Sequence, residues 1–169
     1  MPAPAIVMFD CHGTWDQYCW DGGKTWVVGD EPQGPSKLAA QATAEAMCVI
    51  EAAMRPSVNV SEFQKIGRDV YRRFGVPRPE SVLIFFHGLG LSHMDLEELD
   101  VNGTATRDWT LEAGMVVATH LLYPGGEQER IWFKDVALVK NDGAEPFFTW
   151  GVIHSQEAET FYLPGFAKL

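Results

Sequence analysis

The sequence predicts a mixed α/β fold, with an antiparallel sheet and two helices in one domain spanning residues 1–169. Three observations predict it. Short β-prone apolar runs open the chain. A long stretch of helix formers with apolar residues at helical spacing follows. Further apolar runs close it, the last pair joined by Asn141-Asp142-Gly143. At 169 residues the chain can bury most of its apolar surface, and 46% hydrophobic with 21% charged residues is the composition of a folded globular protein.

Residues 5–9 form an apolar run ending at Asp10, and residues 25–28 a second run ending at Gly29. They are expected to pair through tight turns, with Asp10 and Asp21 facing one another across the sheet. Two such carboxylates repel unless a proton or a cation lies between them. The alternative is that Asp21 only opens an Asp21-Gly22-Gly23 turn. Residues 29–35 are a Gly/Pro linker, and Ser36 is an N-cap for a helix over residues 37–55. Its apolar stripe is Leu38, Ala42, Ala46, Val49 and Ala53, Pro56 ends it, and Met47 and Met54 belong to the core. Ser61 and Gln64 have capping-box spacing and open a second helix that runs to Phe74 and closes at Gly75. Residues 81–86 form a buried strand that delivers His87, and residues 96–109 loop over the site. Residues 115–122, with His120, residues 131–139 and residues 147–153 complete the sheet. His12, two places after Asp10, shares its strand face. The aromatics Trp15, Tyr18, Trp20, Trp26, Trp132 and Phe133 are assigned mostly to the core, one or two of them walling the site, and His154 to the surface.

A net charge of −10 disfavours nucleic acid and anionic membranes as partners, since both reward Lys and Arg. Cys11, Cys19 and Cys48 lack paired metal-site spacing and read as reduced thiols. With no signal peptide and no membrane span, a soluble cytoplasmic protein is expected.

Five features carry a family resemblance. Asp10 and Asp21 lie eleven positions apart, Thr25-Trp26-Val27-Val28-Gly29 follows, and His87-Gly88-Leu89-Gly90 comes after the two helices. Leu111-Glu112-Ala113-Gly114-Met115-Val116 and Asp135-Val136-Ala137-Leu138-Val139 complete the series. In this order they resemble the catalytic half of the pita-bread superfamily, which includes methionine and Xaa-Pro aminopeptidases, prolidase, creatinase and a dimethylsulfoniopropionate lyase branch. The resemblance implies the second half of a pita-bread fold, a curved antiparallel sheet backed by two helices.

It also implies five site positions, of which two depart from the peptidases. His120 stands where they place a metal-binding Glu, and Lys134 where they place the bridging Glu. The set becomes Asp10, Asp21, His87, His120 and Lys134, and a protonated Lys cannot bind a metal. Three readings remain open. In the first, Asp21, His87 and His120 hold one divalent metal (Zn, Fe or Mn), Lys134 fills the second metal's place and neutralises Asp10, and His93 is a proton shuttle. In the second, the site is metal-free and creatinase-like or lyase-like, with His87 or His120 as acid/base. In the third, the fold serves as an inactive binding module. His93 follows His87 by six places where the peptidases' second histidine follows by seven, so its equivalence needs a bulge. The alternative is a loop histidine bonded to Asp95 or Glu97.

The first reading, a hydrolase of C–N bonds in a small amide, amidine or peptide-like substrate, is the expectation taken forward. The resemblance further implies that the first half of the fold is missing, leaving a sheet edge and an apolar face to be covered by a homodimer or by a second chain.

Overall fold

The computed structural model describes residues 5–28, 34–94, 108–126 and 130–148. The expectations for residues 96–107, for residues 149–153 and for His154 fall outside them. One antiparallel sheet of six strands carries two helices. The strands are β1 (Ala5–Trp15), β2 (Tyr18–Val28), β3 (Leu83–Gly88), β4 (Val116–Tyr123), β5 (Ile131–Lys140) and β6 (Gly143–Pro146), and the helices α1 (Gly34–Ala53) and α2 (Val60–Phe74). The order across the sheet is β1-β2-β5-β4-β3, and β6 pairs with β5. No helix among the described residues is long and apolar enough to cross a membrane.

The first hairpin is longer than its apolar runs. Its turn lies at Asp16 and Gln17, both with positive φ (46° and 71°), so Gly22 and Gly23 sit inside β2 and Asp21 opens no turn. In the β1–β2 register Asp10 stands opposite Gly23 and His12 opposite Asp21. The two carboxylates therefore share a face but are offset, not opposed. The second hairpin turns at Asn141-Asp142, with Lys140 paired to Gly143, as the Asn-Asp-Gly signal requires.

Gly23 is needed for a close approach. It is the β2 residue that pairs with Lys134 of β5. A Cβ there would lie 2.9 Å from the Phe9 carbonyl oxygen, 3.1 Å from Lys134 Cδ and 3.1 Å from Trp132 Nε1. Gly23→Ala should cost about 1–3 kcal/mol of stability through overpacking, checked by urea unfolding. It should also displace the Lys134 side chain.

The helices pack on the face opposite the candidate site, and the main core between them and the sheet includes Met47, Ile50, Met54, Phe63, Tyr71, Phe86, Leu121 and Phe133. Two local expectations are corrected. The buried face of α1 runs through Ala39, Ala42, Thr43, Ala46, Met47, Ile50 and Glu51, turned from the stripe drawn through Leu38, Val49 and Ala53, which are only partly buried. The Ser61–Gln64 capping box does not form. Asn59 is the N-cap, Ser61 donates through Oγ to Asp108 (2.8 Å), and Gln64 Nε2 donates to the Ile84 carbonyl (3.0 Å). The C-terminal end follows expectation, with Gly75 in the left-handed conformation at φ 68°.

Glu51 of α1 and Asp135 of β5 meet in this core, buried to 8% and 1% exposure. Glu51 Oε1 has no hydrogen-bond partner among the described residues. An ionised carboxylate with a dry, bare oxygen is costly, so the pair shares a proton. Burial first, then the hydrogen bond and charge of Asp135, lift the Glu51 pKa well above the usual carboxylate range. The folded state therefore keeps a proton that the unfolded chain releases near pH 4.3, and stability falls as pH rises above about 5, by at most ~1.4 kcal/mol per unit. Glu51→Gln should flatten this slope and become more stable than the parent at pH 9, by denaturant titration across pH 5–9.

Candidate metal centre

The site lies on the sheet face away from the helices. Strand alternation puts Asp10 and His12 of β1, Asp21 of β2, His87 of β3, His120 of β4 and Lys134 of β5 on that face, with cross-strand pairing of His120 to Lys134 and of His87 to Ala118. His87 comes at the end of an apolar strand whose own side chains are packed, which leaves its ring fully buried.

Asp21, His87 and His120 each offer one atom to a common point, all within 4.8 Å of one another. Asp21 Oδ2 lies 3.3 Å from His87 Nε2 and 3.1 Å from His120 Nε2, and the two nitrogens are 2.9 Å apart. Donors held about 2.0–2.2 Å from one cation stand roughly 2.9–3.4 Å from each other, so this set fits a divalent ion without rearrangement. His87 Nδ1–H donates to the Gly88 carbonyl at 2.9 Å, which fixes the tautomer and leaves Nε2 bare toward the centre. Burial lowers the His120 pKa to about 4, with the Asp21 hydrogen bond opposing and the positive field of Lys134 adding, so its ring is neutral at pH 7. Two neutral imidazoles and a carboxylate suit Zn, Fe or Mn.

The other carboxylate oxygen of Asp21 is spoken for. Oδ1 accepts from Lys134 Nζ at 2.9 Å and from the Gly22 N–H at 2.8 Å, and the same Nζ donates to Asp10 Oδ1 at 2.6 Å. Burial raises the Asp21 pKa, but the bonds from His120, His87 and Lys134 outweigh it and hold the carboxyl well below the usual carboxylate range. Lys134 thus lies between the two carboxylates, its side chain 5% exposed, while Asp10 is 55% exposed at the rim.

His93 reaches the same centre from the bend after β3. Its Nε2 is 3.7 Å from Asp21 Oδ2, buried and without a hydrogen-bond partner among the described residues, while the ring remains 31% exposed. Burial, with His12, His87 and Lys134, lowers its pKa against the pull of Asp21. His12 packs on it, ring centroids 4.5 Å apart. Phe85 and Trp132 flank His120 at 4.3 and 5.7 Å.

All six residues expected at the site converge there, together with His12. The aromatics divide differently. Trp132 walls the site and Phe133 is core, but Trp15, Tyr18 and Trp20 are 82%, 62% and 45% exposed. Hairpin alternation puts these three on the face opposite the site, where neither helix packs. Sequence reasoning missed Gly23 and the Glu51–Asp135 pair. A Glu next to Ile50 on a buried helical stripe was the available signal for the latter.

The family model of metallopeptidase family M24 matches residues 2–141. No curated protein matches the sequence. Among solved structures, a dipeptidase from Mycobacterium ulcerans is similar at TM-score 0.69 and 24% identity, over 83% of this chain and 37% of that one. A prolidase from Pyrococcus furiosus is similar at TM-score 0.71 and 21% identity, over 83% and 40%. An Xaa-Pro dipeptidase from Bacillus anthracis is similar at TM-score 0.68 and 24% identity, over 90% and 40%. The chain therefore spans about 40% of the length of these relatives, and the likeness is to the pita-bread fold.

Proposed function

Because the chain belongs to metallopeptidase family M24, we propose that it is a hydrolase of C–N bonds in a small amide, amidine or short-peptide substrate, and that it works with one divalent metal. The observation that carries the reading is the Lys134 ammonium set between Asp10 and Asp21 beside three convergent donor atoms. The two carboxylates and one ammonium sum to a charge of −1 around two neutral imidazoles. That balance attracts one divalent cation and opposes a second.

Asp21, His87 and His120 would hold the ion. Bound there, it supplies Lewis acidity and lowers the pKa of water at the site. The chain's own groups do the rest. The Gly88 carbonyl keeps the proton of His87 on Nδ1. Lys134 orients Asp21 through Oδ1 so that Oδ2 faces the imidazoles. His93 Nε2 is the group placed to accept a proton and return it to a leaving amine, because it borders the site, is bare, and has its pKa lowered by burial. Phe85 and Trp132 exclude water from the His120 side.

Elemental analysis of protein purified without a tag tests the reading. About one Zn, Fe or Mn per chain supports it. Two per chain would mean that Lys134 does not displace a cation, and none would favour the metal-free creatinase-like or lyase-like alternative. Release of free amine from a panel of dipeptides, amides and amidines then identifies the substrate class, and no turnover on any of them would leave the binding-module reading.

A further inference from the structure

We propose that the β1–β2 hairpin is the interface of a homodimer, in which β1 of one copy pairs antiparallel with β1 of the other. The surface does not depend on the metal reading. β1 is the outer strand of the sheet, and among the described residues its one strand neighbour is β2. It runs for 11 residues with an unbroken register from Ala5 to Trp15, so no bulge twists its edge away. Its sequence, AIVMFDCHGTW, contains no Lys, Arg or Pro. Edge strands in monomers are normally guarded by such devices. The charged side chain it does carry, Asp10, lies on the site face and is held by Lys134.

The opposite face of the hairpin is aromatic and in solvent. Val7, Trp15, Tyr18 and Trp20 are 46%, 82%, 62% and 45% exposed, and Phe147 and Phe148 add 58% and 47%. Phe148 belongs to this face, because its Cζ is 4.0 Å from where a Cβ on Gly22 would stand. At roughly 150–250 Å² per aromatic side chain these exposures amount to on the order of 700 Å², close to the ~800 Å² per partner of a standard stable interface. A single exposed residue of this kind is ordinary; a patch of this size is not.

The occupant is a second copy because an antiparallel edge is self-complementary. A two-fold axis through β1 matches its free main-chain groups to themselves and brings the two aromatic faces side by side without a new recognition sequence. The net charge of −10 per chain works against association at long range, so the dimer should tighten with added salt.

Sedimentation velocity on the full chain between 1 and 50 µM, at low and at 0.5 M salt, is the test. A dimer whose dissociation constant falls with salt is expected. Val7→Lys combined with Tyr18→Glu, both at exposed positions remote from the metal centre, should raise that constant at least tenfold while circular dichroism and metal content stay unchanged. Hydrogen exchange gives a second readout, in which β1 amides gain protection as concentration rises and the double variant loses that gain. A wild-type monomer at 50 µM overturns the proposal, and so does a dimer that the double variant leaves intact. Binding of the monomer to another protein or to vesicles overturns it as well.

Discussion

Lys134→Met should lower the unfolding free energy of the metal-free protein at pH 7 by about 3–5 kcal/mol, the cost of stranding a buried charge. The charge stranded is Asp21, whose side chain is fully buried and whose Oδ1 would keep only the Gly22 N–H. Asp10 contributes less, because its carboxylate is 55% exposed and water screens it. The sign with pH follows from the depressed Asp21 pKa. Its contribution is present above the unfolded carboxyl value near 4 and is lost only as strong acid protonates the folded state. Lys134→Glu separates charge from packing. It replaces the internal cation by an acid at the position where the family's bridging Glu is expected, so metal content should rise from about one to about two per chain when cation is in excess. Urea titration of the first variant and elemental analysis of the second check the pair. A loss under 1 kcal/mol in Lys134→Met would show that Asp21 is neutralised by some other group.

His120→Ala should abolish metal retention through gel filtration, with affinity reduced by more than the 10–100-fold typical of losing an outer hydrogen-bond partner. Removing the ring leaves Asp21 and His87 as a two-donor site whose atoms are 3.3 Å apart. His120→Glu is the informative control, since a carboxylate there can still reach the centre and should restore binding in part. Unchanged metal occupancy in His120→Ala would remove this residue from the ligand set, and with it the explanation for why an imidazole stands at that position.

Strand parity made most of the site legible in the sequence. Residues two apart share a face, so Asp10 with His12 and Trp132 with Lys134 could be grouped before any coordinates, and the motif order supplied the rest. The apolar runs located β3, β4 and β5 within two residues at each end, because those strands are buried on both faces and read as continuous hydrophobic stretches. The first hairpin was shortened, because its polar and glycine positions, from Asp10 to Lys24, carry no such run and are held by register and by Lys134 rather than by burial. The helix-capping expectation at Ser61 failed for a tertiary reason: Asp108, 47 positions away in sequence, takes its hydrogen bonds. The exposed Trp15, Tyr18 and Trp20 were misplaced because alternation gives a face but not what covers it.

Lys134 and Asp135 are neighbours in β5 that project into opposite layers, the amine into the metal centre and the carboxyl toward Glu51. A strand that slipped by one position against β4 would exchange them. The slipped form would carry an acid among Asp10, Asp21 and the imidazoles, inviting a further cation, and would set an amine against Glu51, where it could form an ion pair. Neither exchange is forbidden by charge alone, so a misregistered chain would be electrostatically self-consistent. What rejects it is the apolar pattern, since the same slip would turn Phe133 and Ala137 out of the helix-packed core and bring Trp132 and Val136 into it. The number of cations this protein accepts is thus decided by the hydrophobic residues of one strand, which touch no metal at all.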